Sequence, residues 1–440
     1  EVRKVYQNVR FEAVDIEKGL ILIENRFSFT NLNSFEGFWE LQCEEGVADK
    51  GLLSNLDLLP AASKTLTVPF KRPDNNAGKE YFLRIGFSLR GATIWADAGY
   101  VIASEQFALP VAETTAEQKR FNPLSKLQTE ESQTDFVVRN NQFELVFSKL
   151  SGTISSWKVL DVSLIETDRL AITGHKPETR LVAWPKETDK RLSGPLPNVF
   201  RAPVDNDYIF GSGPGPVWQD QQLDKLKHQL QSFEASKLND YQVQVKIALS
   251  SVAPGGFVIR SQTTYIVDAD GEVAVDVVLD PDRVSWPLAK LGLIMEMPAG
   301  FEFVEWFGAG PHENYVDRRS SADIGKYARS VSDITEHYVR PQDMGNRSET
   351  RWFTVTDHSG KGLKFTADKT FNFSALHHLP ADLDNANHEF ELTKRPETIL
   401  TIDAAHLGLG GGSCGPGPME QYMLKAEKRS LNIKMKPVGF

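Results

Sequence analysis

Cysteine is nearly absent: the 440 residues hold two, Cys43 and Cys414, far apart in the chain. A disulfide framework is excluded as the source of stability, and no thiolate metal site has the spacing it needs. Long apolar runs are missing too. No stretch approaches the roughly 20 residues of a membrane-spanning helix, and the opening Glu1-Val2-Arg3-Lys4-Val5-Tyr6-Gln7 is not a signal peptide. Positive charge is in deficit, with 49 Lys plus Arg against 59 Asp plus Glu and a formal net charge of -10. Nucleic acid and an anionic membrane both select for basic patches, so neither is expected as a partner. The sequence lacks an initiating Met and begins almost at once on strand-like residues, which leads to the expectation of a fragment or processed subunit. Its compartment, cytoplasmic or periplasmic for a soluble protein, is not legible.

What is present is alternation. Ile21, Ile23, Phe27 and Phe29 share one face, as do Trp39, Leu41 and Cys43, then Leu66, Val68 and Phe70, then Leu83, Ile85, Phe87 and Leu89. This spacing predicts a small immunoglobulin-like sandwich over residues 1–111, with Cys43 as a core thiol. Over 112–133 the periodicity stops and Glu, Thr, Gln, Lys, Ser and Pro dominate, the composition of a linker. Alternation returns in Phe143, Leu145 and Phe147; in Tyr241, Val243, Val245, Ile247 and Leu249; and in Val273, Val275, Val277 and Leu279. Only Leu223, Leu226, Leu230 and Phe233 recur at helical spacing, which predicts one amphipathic helix after Trp218. The fold class is therefore all-β, with a second, much larger sandwich of two extended sheets over 134–440.

Chemistry-bearing residues gather in a few strings. Phe200-Arg201-Ala202-Pro203-Val204-Asp205-Asn206-Asp207 places two carboxylates around an amide and runs into the Gly- and Pro-rich stretch from Tyr208 to Pro216. Such a polar turn suits a polyhydroxylated ligand, or a loop that meets one; alternatively, Asp205 and Asp207 only cap their own backbone. Trp306 to Arg318 packs aromatics, glycine, acid and base together; Arg340 to Arg347 and His406 to Pro416 follow. Arg347 and Arg351 are expected to pair with Asp343 or Glu349.

Generic motifs fail on these strings. A calcium loop would need Gly at its sixth place and a Glu where Pro216 stands, and the run Gly408 to Gly412 has neither the Gly-x-Gly-x-x-Gly spacing nor a following Lys of a phosphate cradle. Ser413 has no nucleophile-elbow context, and His406 with Cys414 carries no spacing that argues for a thiol dyad.

The strings Phe200 to Asp207, Trp306 to Arg318, Pro341 to Arg347 and His406 to Cys414 stand in the order they have in family 2 β-galactosidases, and the whole chain resembles the C-terminal third of such an enzyme. The resemblance implies that residues 1–111 are its second immunoglobulin-like domain and 134–440 its galactose-mutarotase-like β-supersandwich. It also implies no catalytic and no metal-ligating residue here, because in that family the two glutamates lie on a (β/α)8 barrel and magnesium and sodium are held by other domains. The implied partners are that barrel, on a parent chain or a large subunit, a galactoside substrate, and further copies of the chain in a homo-oligomer. Residues implied at the substrate rim are Asp205, Asn206, Asp207, Phe210, Gly211 and Trp218 on a mobile loop, with Ser413 and Cys414 on a glycine-rich turn. Cys414 stands at or beside a place where some members present a tryptophan. The competing reading is a free-standing carbohydrate-binding or aldose-mutarotase-like protein using Glu313 with His312 or His406, though neighbours on one strand point to opposite faces.

Overall fold

In the strand Phe35–Cys43 every odd-numbered residue is buried and every even-numbered one half-buried, the period of a sheet with one face on a core. The computed structural model describes residues 1–73, 78–111, 125–166, 194–211 and 213–440, side chains of 209–211 excepted. It divides into two compact units.

The first unit comprises Glu1–Arg120 with Ala309–Pro311 and Arg319–Lys326. Its antiparallel strands form a four-stranded sheet, in the order Gly46–Leu52, Phe35–Cys43, Phe82–Leu89, Val101–Ala108, and a three-stranded one, Val9–Asp15, Leu20–Asn25, Ser63–Thr67. Both sheets feed one core, where Phe11 stacks on Phe87 with ring centroids 5.9 Å apart. Cys43 is buried there as a free thiol. The row read as Ile21 to Phe29 breaks early: the strand stops at Asn25, and Phe29 is 95% exposed. Asn25 causes the break, since its buried side chain donates to the carbonyls of Thr30 and Leu58 at 2.9 Å and accepts from Phe27 N at 3.0 Å, turning the chain away.

The second unit comprises Phe121–Gly308, His312–Arg318 and Tyr327–Phe440. A five-stranded sheet and a twelve-stranded sheet enclose its core. Phe147 of the smaller sheet meets Tyr265 of the larger edge-on, centroids 5.2 Å apart. The all-β class is thus as expected, and two local readings are corrected. The strand Gln128–Glu131 lies inside the stretch read as linker; all four residues are exposed, so no alternation marked it, and residues 112–124 lie outside the described residues. The expected helix is a strand, Lys227–Asn239, preceded by the short helix Pro214–Asp220 and the turn Leu223–Lys225.

The misreading has a definite cause. The strand's register against Gln242–Val252 shifts between Leu230 and Ser232, so Gln231 is an extra residue, and Leu230 and Phe233 end on one face at a spacing that mimics a helix. Because Gln231 is the extra residue, deleting it is expected to leave Phe233 opposite Ile247 and against Phe136, 6.2 Å away, whereas inserting a second residue after it is expected to turn Phe233 off that ring and to cost about 1–2 kcal/mol, since the ring is half-buried. Urea denaturation measures both; a deletion that costs as much as the insertion would contradict the bulge.

Candidate functional site

Three neighbouring strands of the large sheet, Leu196–Asn198, Lys290–Met297 and Thr398–His406, bring their ends together, with Lys290 opposite His406. Just beyond the first lies Arg201, fully buried, whose Nη2 donates to both oxygens of buried Asp207 at 2.9 and 3.0 Å. Its Nη1 donates to Leu407 O at 3.2 Å. Asp207 also accepts from Val204 N at 2.8 Å, which closes the turn that Pro203 begins. The indole of Trp218 lies 5.6 Å from the guanidinium and donates from Nε1 to Pro287 O at 2.8 Å. Burial opposes the Arg201 charge, but Asp207 and Asp343 outweigh it and hold the group protonated above its ordinary value.

A second layer joins this pair. Tyr315 donates to Asp343 Oδ2 at 3.0 Å, and His406 Nε2 lies 3.6 Å from the same oxygen while its Nδ1 donates to Leu407 O at 3.0 Å. Lys290 Nζ lies 2.9 Å from Asp403 Oδ2. A Cβ on Gly292 would come within 2.4 Å of Asp403 Oδ1, so glycine there makes room for that carboxylate. Burial by itself would raise the Asp343 carboxyl; the approach of His406 and the charges of Lys290, His406 and Arg201 overcome it and hold Asp343 at about 2. Burial pushes Asp403 upward, against the pull of Lys290.

Above the network the two remote strings are clasped. Asn206 donates from Nδ2 to Gly410 O at 2.7 Å, and its Oδ1 accepts from Ser413 N at 2.9 Å and Ser413 Oγ at 2.5 Å. Asp317 accepts from Leu409 N at 2.9 Å and Gly410 N at 2.8 Å, one bond to each oxygen. Gly410 turns at φ +63°, and a Cβ on Gly408 would meet Asp317 Oδ2 at 2.7 Å, so these two positions require glycine.

Of the residues expected at a rim, Asp205, Ser413 and Cys414 are exposed and Asn206 is half-buried, gathered at this clasp. Asp207 is the buried ion-pair partner described above: one of its oxygens accepts from Val204 N while both accept from Arg201. Trp218 is corrected: at 0% exposure it is core, placed under Arg201 by the short helix. Phe210 and Gly211 end the turn Asp205–Gly211, and their side chains lie outside the described residues. His406 is buried beneath the loop while Cys414 is exposed at its tip, which suits no thiol dyad.

Glu313 is buried, with Tyr338 and Arg318 donating to Oε1 and Gly345 N donating to Oε2 at 2.9 Å. Arg351 Nη1 lies 3.9 Å from Glu349 as expected, whereas Arg347 stacks 5.2 Å from the Trp306 ring and donates to Asn346 O. Among the described residues no group of three or more His, Cys, Asp or Glu is placed to hold a metal ion. Also among the described residues, no helix is long and apolar enough to cross a membrane.

Sequence reasoning passed over Arg201, Lys290 and Asp403. The signal was present: each of the last two is a lone charge inside an apolar run, Leu288-Ala289-Lys290-Leu291 and Ile399-Leu400-Thr401-Ile402-Asp403.

Fold and site together define a two-unit all-β protein that presents a glycine-rich loop from a large sandwich over an internally compensated cluster of charges. Residues 139–435 match the family model for the β-galactosidase small chain, and residues 21–110 match that for β-galactosidase, domain 4. The first match takes in more than half of the sequence, and the chain belongs to the β-galactosidase small-chain family. It is 27% identical over 449 residues to a β-galactosidase of Priestia megaterium, covering 100% of this chain and 39% of that protein. Similar values hold for β-galactosidases of Streptococcus thermophilus, 27% identical over 450 residues, and Photobacterium profundum, 28% over 430. The chain therefore spans 38–39% of the length of these curated relatives. Among solved structures it is similar to a galactose 1-epimerase of Lactobacillus acidophilus at a TM-score of 0.35 and 10% identity, over 71% of this chain and 97% of that one.

Two expectations follow from the charge cluster. Arg201→Met strands Asp207 in the core without its counter-ion and costs about 3–5 kcal/mol, read from urea unfolding. A loss below about 1 kcal/mol would contradict the pairing. Because folded Asp343 titrates near 2, below the ordinary carboxylate value near 3.9, its contribution is fully present above about pH 4 and is lost as pH falls through 2. The difference in melting temperature between wild type and Asp343→Asn is accordingly expected to shrink over that window.

Proposed function

We propose that this chain is the non-catalytic C-terminal part of a β-galactosidase that hydrolyses terminal β-D-galactosides, and that it supplies part of the rim of the substrate cavity. Breaking a glycosidic bond with retention takes one carboxylic acid to protonate the leaving oxygen and a second carboxylate to attack the anomeric carbon. The acidic residues of the four strings do not offer such a pair. Asp207, Asp343 and Glu313 are buried and bonded, both oxygens of Asp317 hold the glycine loop, and Asp205 alone is exposed. In this reading the acid and the nucleophile reside on a (β/α)8 barrel of the parent chain or of a large subunit, any magnesium and sodium belong to those other domains, and copies of the chain assemble into an oligomer.

The observation that carries the reading is the Asn206 clasp, which presents Ser413 and Cys414 as an ordered, exposed polar edge. Ser413 and Asp205 suit sugar hydroxyls, whereas a thiol at 414 gives a sugar ring no flat apolar face. The alternative of a free-standing mutarotase gains nothing from Glu313, whose two oxygens already have donors.

Mixing the 440-residue chain with a barrel-bearing partner is expected to restore hydrolysis of a nitrophenyl galactoside that the chain does not turn over by itself. Cys414→Trp in the mixture is expected to change KM for substrates with different aglycones more than it changes kcat. Absence of any gain at saturating partner would sink the proposal, as would turnover by the isolated chain that one of its own carboxylates controls.

A further inference from the structure

Four segments meet at one end of the first unit: residues 1–8 ahead of the strand Val9–Asp15, the connections 26–34 and 53–62 that pass between its two sheets, and the hairpin loop 90–100. The register fixes this, since Val9 lies opposite Asn25 and Ser63 opposite Glu24 in one sheet, and Phe35 opposite Leu89 and Val101 opposite Ser88 in the other. The segments also touch: Leu32 N donates to Leu58 O at 3.2 Å, Arg90 Nε donates to Asn33 O at 3.3 Å, and the Arg3 guanidinium lies 5.7 Å from the Tyr100 ring.

This end is apolar and open to solvent. Val2, Tyr6, Phe29, Leu59, Ile94 and Trp95 are all exposed there, Ile94 completely and Trp95 by 63%. Toward the opposite end the exposed large side chains are valines, Val14 and Val47, and among the described residues no exposed aromatic ring joins them. Single exposed apolar residues are ordinary, but a cluster of this kind on one side of a small sandwich marks a surface that something covers. Fraying does not explain it. Thr93 N donates to Ala96 O at 2.8 Å and Ala96 N donates to Thr93 Oγ1 at 3.1 Å, so Ile94 and Trp95 are held on a closed turn, with Trp95 edge-on to Tyr100 at 5.5 Å.

The chemistry of this end narrows the occupant. Its charges already have partners: Lys4 lies 2.9 Å from Glu105, Arg26 lies 3.0 Å from Glu24, and Asp57 accepts from Asn31 at 2.7 Å. An anionic lipid surface selects for free basic residues around the apolar tip, and the net charge of -10 opposes it. Exposed Trp, Tyr and Phe with few free charges are the composition of a protein–protein contact. The length of the match says which protein. The whole of this chain matches only 39% of the β-galactosidases of Priestia megaterium and Streptococcus thermophilus, so the larger part of each lies outside the match and has to be joined to the matched part.

We propose that this end of the first unit is the surface on which the catalytic part of the parent β-galactosidase docks, with Ile94 and Trp95 as its anchors. The proposal rests on the reading above that the acid and the nucleophile are carried outside this chain; it adds where the two parts meet.

The test follows hydrogen–deuterium exchange and sedimentation of the 440-residue chain mixed with the barrel-bearing partner, beside the hydrolysis assay. Amides of 91–99 and 27–33 are expected to gain protection on mixing, and those of 16–19 at the opposite end to stay as they were. Ile94→Asp and Trp95→Ala should each weaken association about tenfold or more, while Val14→Asp leaves it unchanged. Both anchors are exposed, so the urea midpoints of these variants should equal that of the wild type, which separates lost binding from lost folding. Protection of 91–99 without hydrolysis supports the docking and removes the functional reading. Hydrolysis with 91–99 unprotected, or with undiminished association in both anchor variants, overturns the docking alone. Absence of association, self-association of the chain that Ile94→Asp abolishes, or binding of phosphatidylglycerol vesicles through this loop would overturn it as well.

Discussion

Everything around the clasp depends on one buried ion pair. Arg201 and Asp207 are both removed from water, and taking two charges into a core costs several kcal/mol each before their attraction is counted. A pair that deep is weak evidence for stability and better evidence for placement. Asp207 can be satisfied only where Val204 N and the guanidinium converge, and the guanidinium only where Leu407 O also lies. Those conditions fix the turn beginning at Asp205 against the end of the strand Thr398–His406. Asn206 is then held at the one place from which its amide reaches Gly410 and Ser413.

The charges beneath the loop compensate one another locally. Arg201 and Lys290 face Asp207, Asp343 and Asp403, with His406 against Asp343. Compensation leaves little electrostatic reason for the loop to shift. Next to this network Met344 is buried in the core between Asp343, which accepts from Tyr315, and Gly345, whose N donates to Glu313. One short segment therefore serves both the polar network and the apolar core.

How much was legible in the sequence follows from where the signal is local. Strands such as Phe35–Cys43 and Gln242–Val252 bury one face, so their period of two survives in the sequence. The strand Gln128–Glu131 buries nothing and left no mark, and the bulge at Gln231 forged a helical spacing out of two strand segments. For the site, Asn206 and Ser413 are 207 residues apart, and no periodicity joins them; only the order of the family's strings did. Trp218 was placed at the rim because the family resemblance put it on a mobile loop, whereas here it packs beneath Arg201.

The account's central claim, that the turn holds the glycine-rich loop in place through Asn206, is tested most directly by backbone amide exchange at Ser413, Gly410 and Leu409. In the intact chain all three amides should be protected, by Asn206 in the first case and by Asp317 in the others. Asn206→Ala should abolish protection at Ser413 and lower it at Gly410 and Leu409, while amides of the strand Thr398–His406 stay protected. Fast exchange at Ser413 in the unaltered chain, or protection there that survives the substitution, would contradict it.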